Sequence, residues 1–571
     1  MQLQLCHKGL LRGHTISILK LARHVQFGVM FCAVLLLAGT LSAQNHTLIL
    51  GRPTDKSVTA SIMFDQNVEF YLEYGTQKGS YAKSTTTVST KSNVPNEIDM
   101  VNLLPATRYY YRLRSKTTGS SSFASSEDYT FMTQRAPGET YRFIVEADEH
   151  LYDKKGVRSM YKITLDNQAK DTADFMLSLG DIFGDDHTPE TTTSADMDAL
   201  HKDYLQYLGA VCHSMPFYVC LGNHEGETGY YLKQNPPNNI AVYGTQWRKY
   251  YYPNPMPNAF YSGNTTEEAY GIGLPENYYA WTWGDALFVV LDVYRDCDVN
   301  DKPQNWDWTL GKTQYDWLKR SLETSNAKYK FVFAHHNRGQ GRGGAKVAKG
   351  CEWGGYEINK NTYEFDKYRP GWGLPIHQLM VNNGVTVFFQ GHDHLYAKEV
   401  LDGVVYQEVP MPSDSTYQIG MLANADAYTD ITRDGTGHLR VTVAPSGVTV
   451  DFVRAYLPKD TLDGTHHNRE IGYSYTAQAR SSEVETAVIT RDAPLTILQH
   501  GEIIDFRTTT STLARRRVEV IDMLGHTVAT TSIEEGNAGC SIDARALPSG
   551  VYAVRLLQAQ DSFTTKMLIA R

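Results

Sequence analysis

Five short apolar runs in this chain each end in side chains that bind metals. Residues 141–147 run into Asp148 and His150, 174–179 into Gly180-Asp181, and 215–221 into Gly222-Asn223-His224-Glu225. Residues 329–334 run into His335, and 385–390 into Gly391-His392-Asp393-His394. Runs of this length, rich in Val, Ile and Phe and bounded by Gly or charged residues, suit buried strands. Ligands of open α/β sheets gather at the carboxyl ends of such strands. Any one of these residues alone is explained as a turn former or a satisfied core group. Five in one chain predict a single centre that holds two metals.

At 571 residues the chain is too long for one core, and several domains are expected. Its apolar content of 42% and charged content of 20% fit a globular protein, and its net charge of -9 gives no basic footprint for a nucleic-acid regulator. The first residues carry Lys8, Arg12, Lys20 and Arg23, then an apolar stretch at 27–38, then Leu41-Ser42-Ala43. This is the layout of a secretory signal peptide over 1–43. The alternative, a membrane anchor, needs ~20 apolar residues, more than this stretch supplies. Beyond it, Cys212, Cys220, Cys297, Cys351 and Cys540 are too few and odd in number for a disulfide scaffold. Cys220 is expected as a buried thiol, and a bridge between Cys297 and Cys351 is left open.

Residues 44–137 read as short alternating strands with Gly, Pro, Ser and Asn turns, the pattern of a small β-sandwich. Within it, Leu104-Pro105-Ala106-Thr107-Arg108-Tyr109 resembles the corner before a late strand of fibronectin type III domains. Residues 138–480 alternate strands with helical periodicities, for example Met197, Leu200, Tyr204, Leu205 and Leu208, or Trp317, Leu318 and Leu322. Two packed mixed sheets flanked by helices, an α/β four-layer fold, are expected there. A polar linker at 481–494 leads to a second β-sandwich at 495–571. There the Leu524-Gly525 turn and Leu547-Pro548-Ser549-Gly550-Val551-Tyr552 resemble the C-terminal sorting domain of the type IX secretion system. That resemblance implies the outer-membrane type IX machinery as a partner and a secreted or cell-surface destination.

The candidate ligands are carboxylates, imidazoles and one amide oxygen, without thiolate, which favours Fe, Zn or Mn over a Cys-rich zinc site or a calcium cage. Asp148, His150 and His394 are assigned to one metal, Asn223, His335 and His392 to the other, and Asp181 bridges them. In order along the chain, Asp148-Glu149-His150, Gly180-Asp181, Gly222-Asn223-His224-Glu225, His335 and Gly391-His392-Asp393-His394 resemble the motifs of calcineurin-like metallophosphoesterases. With the sandwich in front, the arrangement is similar to purple acid phosphatases and their bacterial relatives. Those enzymes carry Gly where this chain has His150, and a Tyr ligand where it has Gly184. One donor replaces the other, so a full ligand set without tyrosinate colour is expected.

The resemblance implies that two cations clamp the phosphoryl oxygens and generate a hydroxide that attacks phosphorus in line. His224 is then the candidate general acid for the leaving alkoxide, or else it orients a ligand. Glu225 and Asp393 are expected to support ligands rather than bind metal. The Gly-rich loop at 336–344 brings Arg338 and Arg342, which suit phosphate oxygens, although a solvated loop explains them equally. The aromatic segment 247–261 is expected either to wall the substrate cleft or to pack.

The leading expectation is a secreted phosphomonoesterase resembling acid phosphatases, acting on a phosphorylated small molecule or macromolecule. A phosphodiesterase or nucleotide pyrophosphatase would use the same ligands. A non-catalytic surface protein would be expected to have lost some of the seven ligand residues, and none is missing.

Overall fold

The structure is a computed structural model. It describes residues 44–480 and 495–569, apart from 153–155, 184–187, 300–302, 338, 340, 359, 361, 420–424, 501–502, 509–514, 523–524, 536, 538, 549 and 559–560. The predicted signal segment 1–43 and linker 481–494 lie outside the described residues. Among the described residues, no helix is long and apolar enough to cross a membrane.

Two large sheets form the centre. The first has nine strands in the order Ile471–Ala477, Gly447–Arg454, Gly437–Ala444, Tyr141–Glu146, Phe175–Ser178, Phe217–Val219, His46–Gly51, Val58–Phe64 and Asn96–Met100. The second has eight, in the order Ser262–Gly263, Tyr279–Trp283, Ala286–Val290, Tyr329–Phe333, Val387–Gln390, Val404–Glu408, Tyr396–Leu401 and Ile431–Arg433. Tyr141–Glu146, Phe175–Ser178 and Phe217–Val219 are mutually parallel, as are Ala286–Val290, Tyr329–Phe333, Val387–Gln390 and Val404–Glu408. The five apolar runs end at the carboxyl ends of five of these seven strands, all but Ala286–Val290 and Val404–Glu408.

These runs lack polar alternation because both faces of each strand are covered. In Tyr141–Glu146, Phe143 and Val145 point into the core between the sheets while Ile144 meets the outer helices. In Tyr329–Phe333, Phe331 and Phe333 point inward and Val332 outward. The inter-sheet core is an aromatic lattice in which Phe333 stacks on Phe389 at 5.0 Å and Phe143 meets Phe288 edge-on at 5.1 Å. Helices Arg158–Ala169 and Ser194–Leu208 cover the first sheet, and Gly311–Glu323 and Ile376–Asn382 the second, which completes the expected four layers. Ser194–Leu208 starts at Thr193, whose hydroxyl accepts from the Asp196 amide while the Asp196 carboxylate accepts in return.

The N-terminal sandwich departs from an independent domain. One of its leaves, His46–Gly51 with Val58–Phe64 and Asn96–Met100, is the outer part of the nine-stranded sheet, joined through a parallel pairing of Gly51 with Phe217. The other leaf contains Val68–Gly75 and Arg108–Thr117, and a core of Leu50, Ile62, Phe70, Leu72, Tyr111 and Leu113 fills the space between them. The boundary near residue 137 therefore does not interrupt the sheet. The C-terminal region has two sheets of its own, Thr496–His500 with Ile503–Arg507 and Gly539–Asp543, and Thr527–Ile533 with Arg516–Ile521, Gly550–Gln558 and Asp561–Ile569. No bridge forms between Cys297 and Cys351, which are separate buried thiols.

Candidate metal centre

Each expected ligand sits on the loop that leaves its strand, and the backbone there is forced into an uncommon shape. Asp148, His150, Asp181, His392 and His394 have φ of 64°, 43°, 60°, 78° and 62°. Left-handed residues other than Gly are uncommon, and Asp and His are among those that tolerate the conformation best. Five of them around one point is strain retained at a functional site. Hydrogen bonds hold the turns in place: the Asp148 amide donates to Gly180 O at 2.9 Å, the His150 amide to Asp181 O at 3.1 Å, and the His392 amide to Asp148 Oδ2 at 2.8 Å. The glycines of the motifs are there for close approach. A Cβ on Gly391 would fall 2.6 Å from Asp148 Oδ2, and one on Gly222 would collide with Asp181 Oδ1.

The side chains converge in two groups, linked by the approach of His150 to Asp181. In the first, His150 Nε2 lies 3.0 Å from His394 Nε2 and 3.8 Å from Asp148 Oδ1, and His394 Nε2 lies 3.5 Å from the same oxygen. In the second, His335 Nε2 lies 3.0 Å from Asp181 Oδ2 and 3.2 Å from His392 Nδ1. Asp181 Oδ2 is also 3.9 Å from His150 Nε2, which links the groups. Donor atoms bound to one cation at ~2.0–2.2 Å stand about 3–3.6 Å apart, so the spacing fits two metals side by side. Asp148 Oδ1 and Asn223 Oδ1 are buried without a hydrogen-bond partner, as atoms reserved for a cation would be. His335 Nδ1 bonds Leu179 O at 2.8 Å, which turns its Nε2 lone pair into the centre.

Charge inside the centre is unbalanced. Burial, then the charge of Asp181, pushes Asp148 up to about 7 against the pull of His335. Burial opposes ionisation of Asp181 too, yet His335 and His224 hold its carboxyl well below the usual range. Burial lowers His335, but Asp181 and Asp148 outweigh it and raise the imidazole to about 9; burial drives His392 down to about 3. Protons here occupy places that cations would take, so metal binding would release them.

His224 donates its amide to Asp181 Oδ1 at 2.8 Å, and its Nε2 stands 3.9 Å from Asp181 Oδ2, close enough to form a third donor group with His150 and Asp181. Glu225 does not face the centre. Its carboxylate accepts from the amides of Asp181 at 3.0 Å and Ile182 at 2.8 Å, which locks the Asp181 turn, and burial followed by the Asp181 charge raises it to about 7. Arg342 spends one nitrogen on His392 O at 2.6 Å and Asp393 Oδ1 at 3.2 Å, while the side chain stays 47% exposed. It braces the ligand turn first, and any phosphate contact falls to the rest of its guanidinium. Arg338 and Gly184 lie outside the described residues. The aromatic segment packs: Trp247 donates to Ser194 Oγ at 3.0 Å and stacks on Tyr251, against helix Ser194–Leu208.

Two supports were not visible in the motifs. The Tyr428 hydroxyl stands 2.8 Å from Asp393 Oδ2 and 2.9 Å from Glu408 Oε2, and Asp393 Oδ2 also accepts from the Gly343 amide at 2.7 Å. Burial, then the charges of Asp393 and Asp148, raises Glu408 well above its usual range. Behind the Asp148 turn, Glu149 accepts from Ser178 Oγ at 2.8 Å and Tyr204 at 3.2 Å. A Glu closing the apolar run 404–408 was a signal for the first support; nothing local marks Tyr428 or Tyr204.

Known proteins bear on this geometry. The calcineurin-like phosphoesterase family model matches residues 141–396, and the secretion system C-terminal sorting domain model matches residues 502–570. No curated protein matches the chain by sequence. Among solved structures, the purple acid phosphatase PPD1 from yellow lupin (Lupinus luteus) seeds is similar at a TM-score of 0.52 and 14% identity, over 77% of this chain and 76% of that one. PhoD is similar at a TM-score of 0.52 and 16% identity, over 86% of this chain and 93% of that one. At these identities the likeness concerns the fold, and it agrees with the two packed sheets and the ligand-bearing loops at their ends. Residues 141–396 are thus a calcineurin-like phosphoesterase domain, and the same chain ends in a secretion system C-terminal sorting domain.

Proposed function

We propose that the protein is an exported phosphomonoesterase resembling acid phosphatases, with Asp148, His150 and His394 holding one metal, Asn223, His335 and His392 a second, and Asp181 between them. The observation that carries this reading is the pair of donor groups, one around His150 and one around His335, that meet at Asp181 Oδ2. Fe, Zn or Mn suits the oxygen and imidazole donors. When bound, the two cations polarise the phosphoryl oxygens and lower the pKa of a water. The chain's own residues do the rest. The turns fixed by Glu225, Asp393 and Ser178 keep the donors in place without reorganisation. His224 Nε2, at the edge of the donor groups, hands a proton to the leaving alkoxide. Arg342 offers the exposed part of its guanidinium to a phosphate oxygen. The sorting domain, with the signal segment read at 1–43, accounts for export.

The test is the ratio of kcat/KM for a chromogenic phosphomonoester over its diester analogue, with the protein loaded in turn with Zn, Mn and Fe. A large ratio supports the monoesterase; a small one moves the protein to the phosphodiesterases or nucleotide pyrophosphatases, and silence on both favours a surface binding role. In the same assay Asp181→Asn abolishes turnover by weakening both metals. His224→Ala keeps its metals and slows poor leaving groups more than good ones; loss of metal would instead make His224 a ligand.

A further inference from the structure

Strand Ala286–Val290 supplies no candidate ligand, although its run also ends in a buried carboxylate, Asp292. Asp292 instead shapes a turn: Oδ1 accepts from the amides of Tyr294 at 2.8 Å and Arg295 at 3.1 Å, and Oδ2 from Asn277 Nδ2 at 2.7 Å. The turn carries Arg295 into a buried ionic chain. Its guanidinium pairs with Glu268 through Nε at 3.0 Å and through Nη2, and Nη1 donates to Glu227 O at 2.9 Å. From the other side the buried Arg248 grips the Glu227 carboxylate, Nε to Oε1 at 2.7 Å and Nη2 to Oε2 at 2.9 Å. Arg248 is itself fixed by Pro275 O at 2.7 Å and Glu276 O at 3.0 Å. Burial opposes the Glu227 charge, but Arg248 and Arg295 outweigh it and hold the carboxyl below its usual range.

Glu227 stands three residues beyond His224, and the chain between them has little freedom. Gly226 turns it with φ of 73°, and a Cβ there would fall 2.6 Å from Ile240 Cδ1. A Cβ on Gly244 would fall 3.0 Å from Glu225 O and 3.2 Å from Glu227 Cγ, so helix Ile240–Tyr251 lies directly against the turn. On the opposite side the Gly229 amide donates to Tyr294 O at 3.2 Å. At the inner end of the same turn, the His224 amide is on Asp181 Oδ1 and its ring stands edge-on to His150, 5.1 Å between centroids. A buried ion pair gains little net stability over an apolar replacement, because desolvation offsets the attraction. What the two parallel bonds from Arg248 supply is a defined geometry.

Resting on the reading of His224 as the proton donor, we propose that Glu227, clamped between Arg248 and Arg295, is a positioning residue for His224. The clamp holds the turn at 222–227 so that the imidazole stands within hydrogen-bond reach of the departing oxygen, which proton transfer requires. A misplacement of about 1 Å costs up to about a hundredfold in rate. That loss falls on esters whose leaving group needs the proton, because a phenolate of low basicity departs without it.

The test is Glu227→Gln, alone and combined with His224→Ala, on the metal-loaded full chain with p-nitrophenyl phosphate and glycerol 2-phosphate. The expected result is the His224→Ala pattern in weaker form: both metals retained, kcat for the glycerol ester down about tenfold and a smaller loss for the nitrophenyl ester. The double variant should be no slower than His224→Ala alone, since both changes act through one group. A double variant slower than His224→Ala, or a loss that ignores the leaving group where that of His224→Ala does not, would overturn the proposal. Where Glu227→Gln does not fold, Arg295→Lys is judged by the same two criteria, because Lys lacks the fork that reaches both Glu268 and Glu227 O. If His224→Ala slows both esters alike, the proton-donor role fails, and the double variant still decides whether Glu227 acts through His224. If neither ester is hydrolysed, the phosphomonoesterase reading fails, and the imidazole NMR signal that His224→Ala removes gives the answer. Its displacement in Glu227→Gln, with the other histidine signals in place, supports the clamp, and an unmoved signal rejects it.

Discussion

The chain begins and ends in β-sandwich regions of similar sequence texture, and the structure uses them in opposite ways. The N-terminal one lends a leaf to the catalytic sheet: beyond the Gly51–Phe217 pairing, the Leu50 amide donates to Cys212 O at 2.9 Å, Ser61 Oγ to Tyr251 O at 3.0 Å, and Tyr261 Oη to Pro53 O. The C-terminal one closes its core with its own residues, Ile504, Phe506, Val518, Val520, Val554 and Leu556 among them. Similar strand patterns thus give one region that is part of the enzyme's frame and another that is a separable module, because a sheet edge left open is completed by whichever backbone lies against it.

Removing residues 44–137 is the strongest test of that difference. It strips three strands from the nine-stranded sheet and exposes Phe217, so no folded phosphoesterase domain is expected by circular dichroism; a soluble, cooperative remainder would break the comparison. Next comes Asp171→Asn, inside the catalytic unit. Burial disfavours the Asp171 charge, but hydrogen bonds and charge from His438, Arg469 and Arg440 outweigh it and hold the carboxyl below the usual range. A depressed folded pKa means that this stability is present above the unfolded value of about 4 and is lost as pH falls through the folded one. The variant should lose about 3 kcal/mol at pH 7, shrinking below pH 4. Calorimetry should show only the catalytic transition moving, with the C-terminal one unchanged.

Metal provides a finer probe. Ligands that bind the native state raise its melting temperature, so added Zn or Mn should shift the catalytic transition alone. Tyr428→Phe, which withdraws the hydroxyl from Asp393 and Glu408, should weaken metal binding roughly tenfold in chelator competition and reduce that shift. An unchanged affinity would reduce Tyr428 to packing. The smallest effect belongs to removal of residues 495–571, which should leave kcat/KM and the catalytic melting temperature as they were. A drop in either would show that the terminal module supports the enzyme.

The apolar runs, their terminal Asp, Asn and His residues and the glycines before them were legible because strand burial and metal ligation both write local, short-range patterns. Helix Ser194–Leu208 was legible for the same reason, through its period. What the residues alone left open was decided by partners distant in sequence. Arg342 read equally as a phosphate contact or as part of a solvated loop, and its contacts with His392 and Asp393, 50 and 51 residues away, add a bracing role. The aromatic segment at 247–261 read equally as wall or packing until it lay on helix Ser194–Leu208. Tyr428, Glu408 and Tyr204 acquire their roles from contacts 15 to 55 residues away in the chain. Sequence by itself determined which donor atom types stand at the strand ends, since both are properties of short segments. Only the tertiary structure decided that the first sandwich belongs to the catalytic sheet and which groups brace the ligands, because strand pairing and buried hydrogen bonds depend on which surfaces the folded chain brings together.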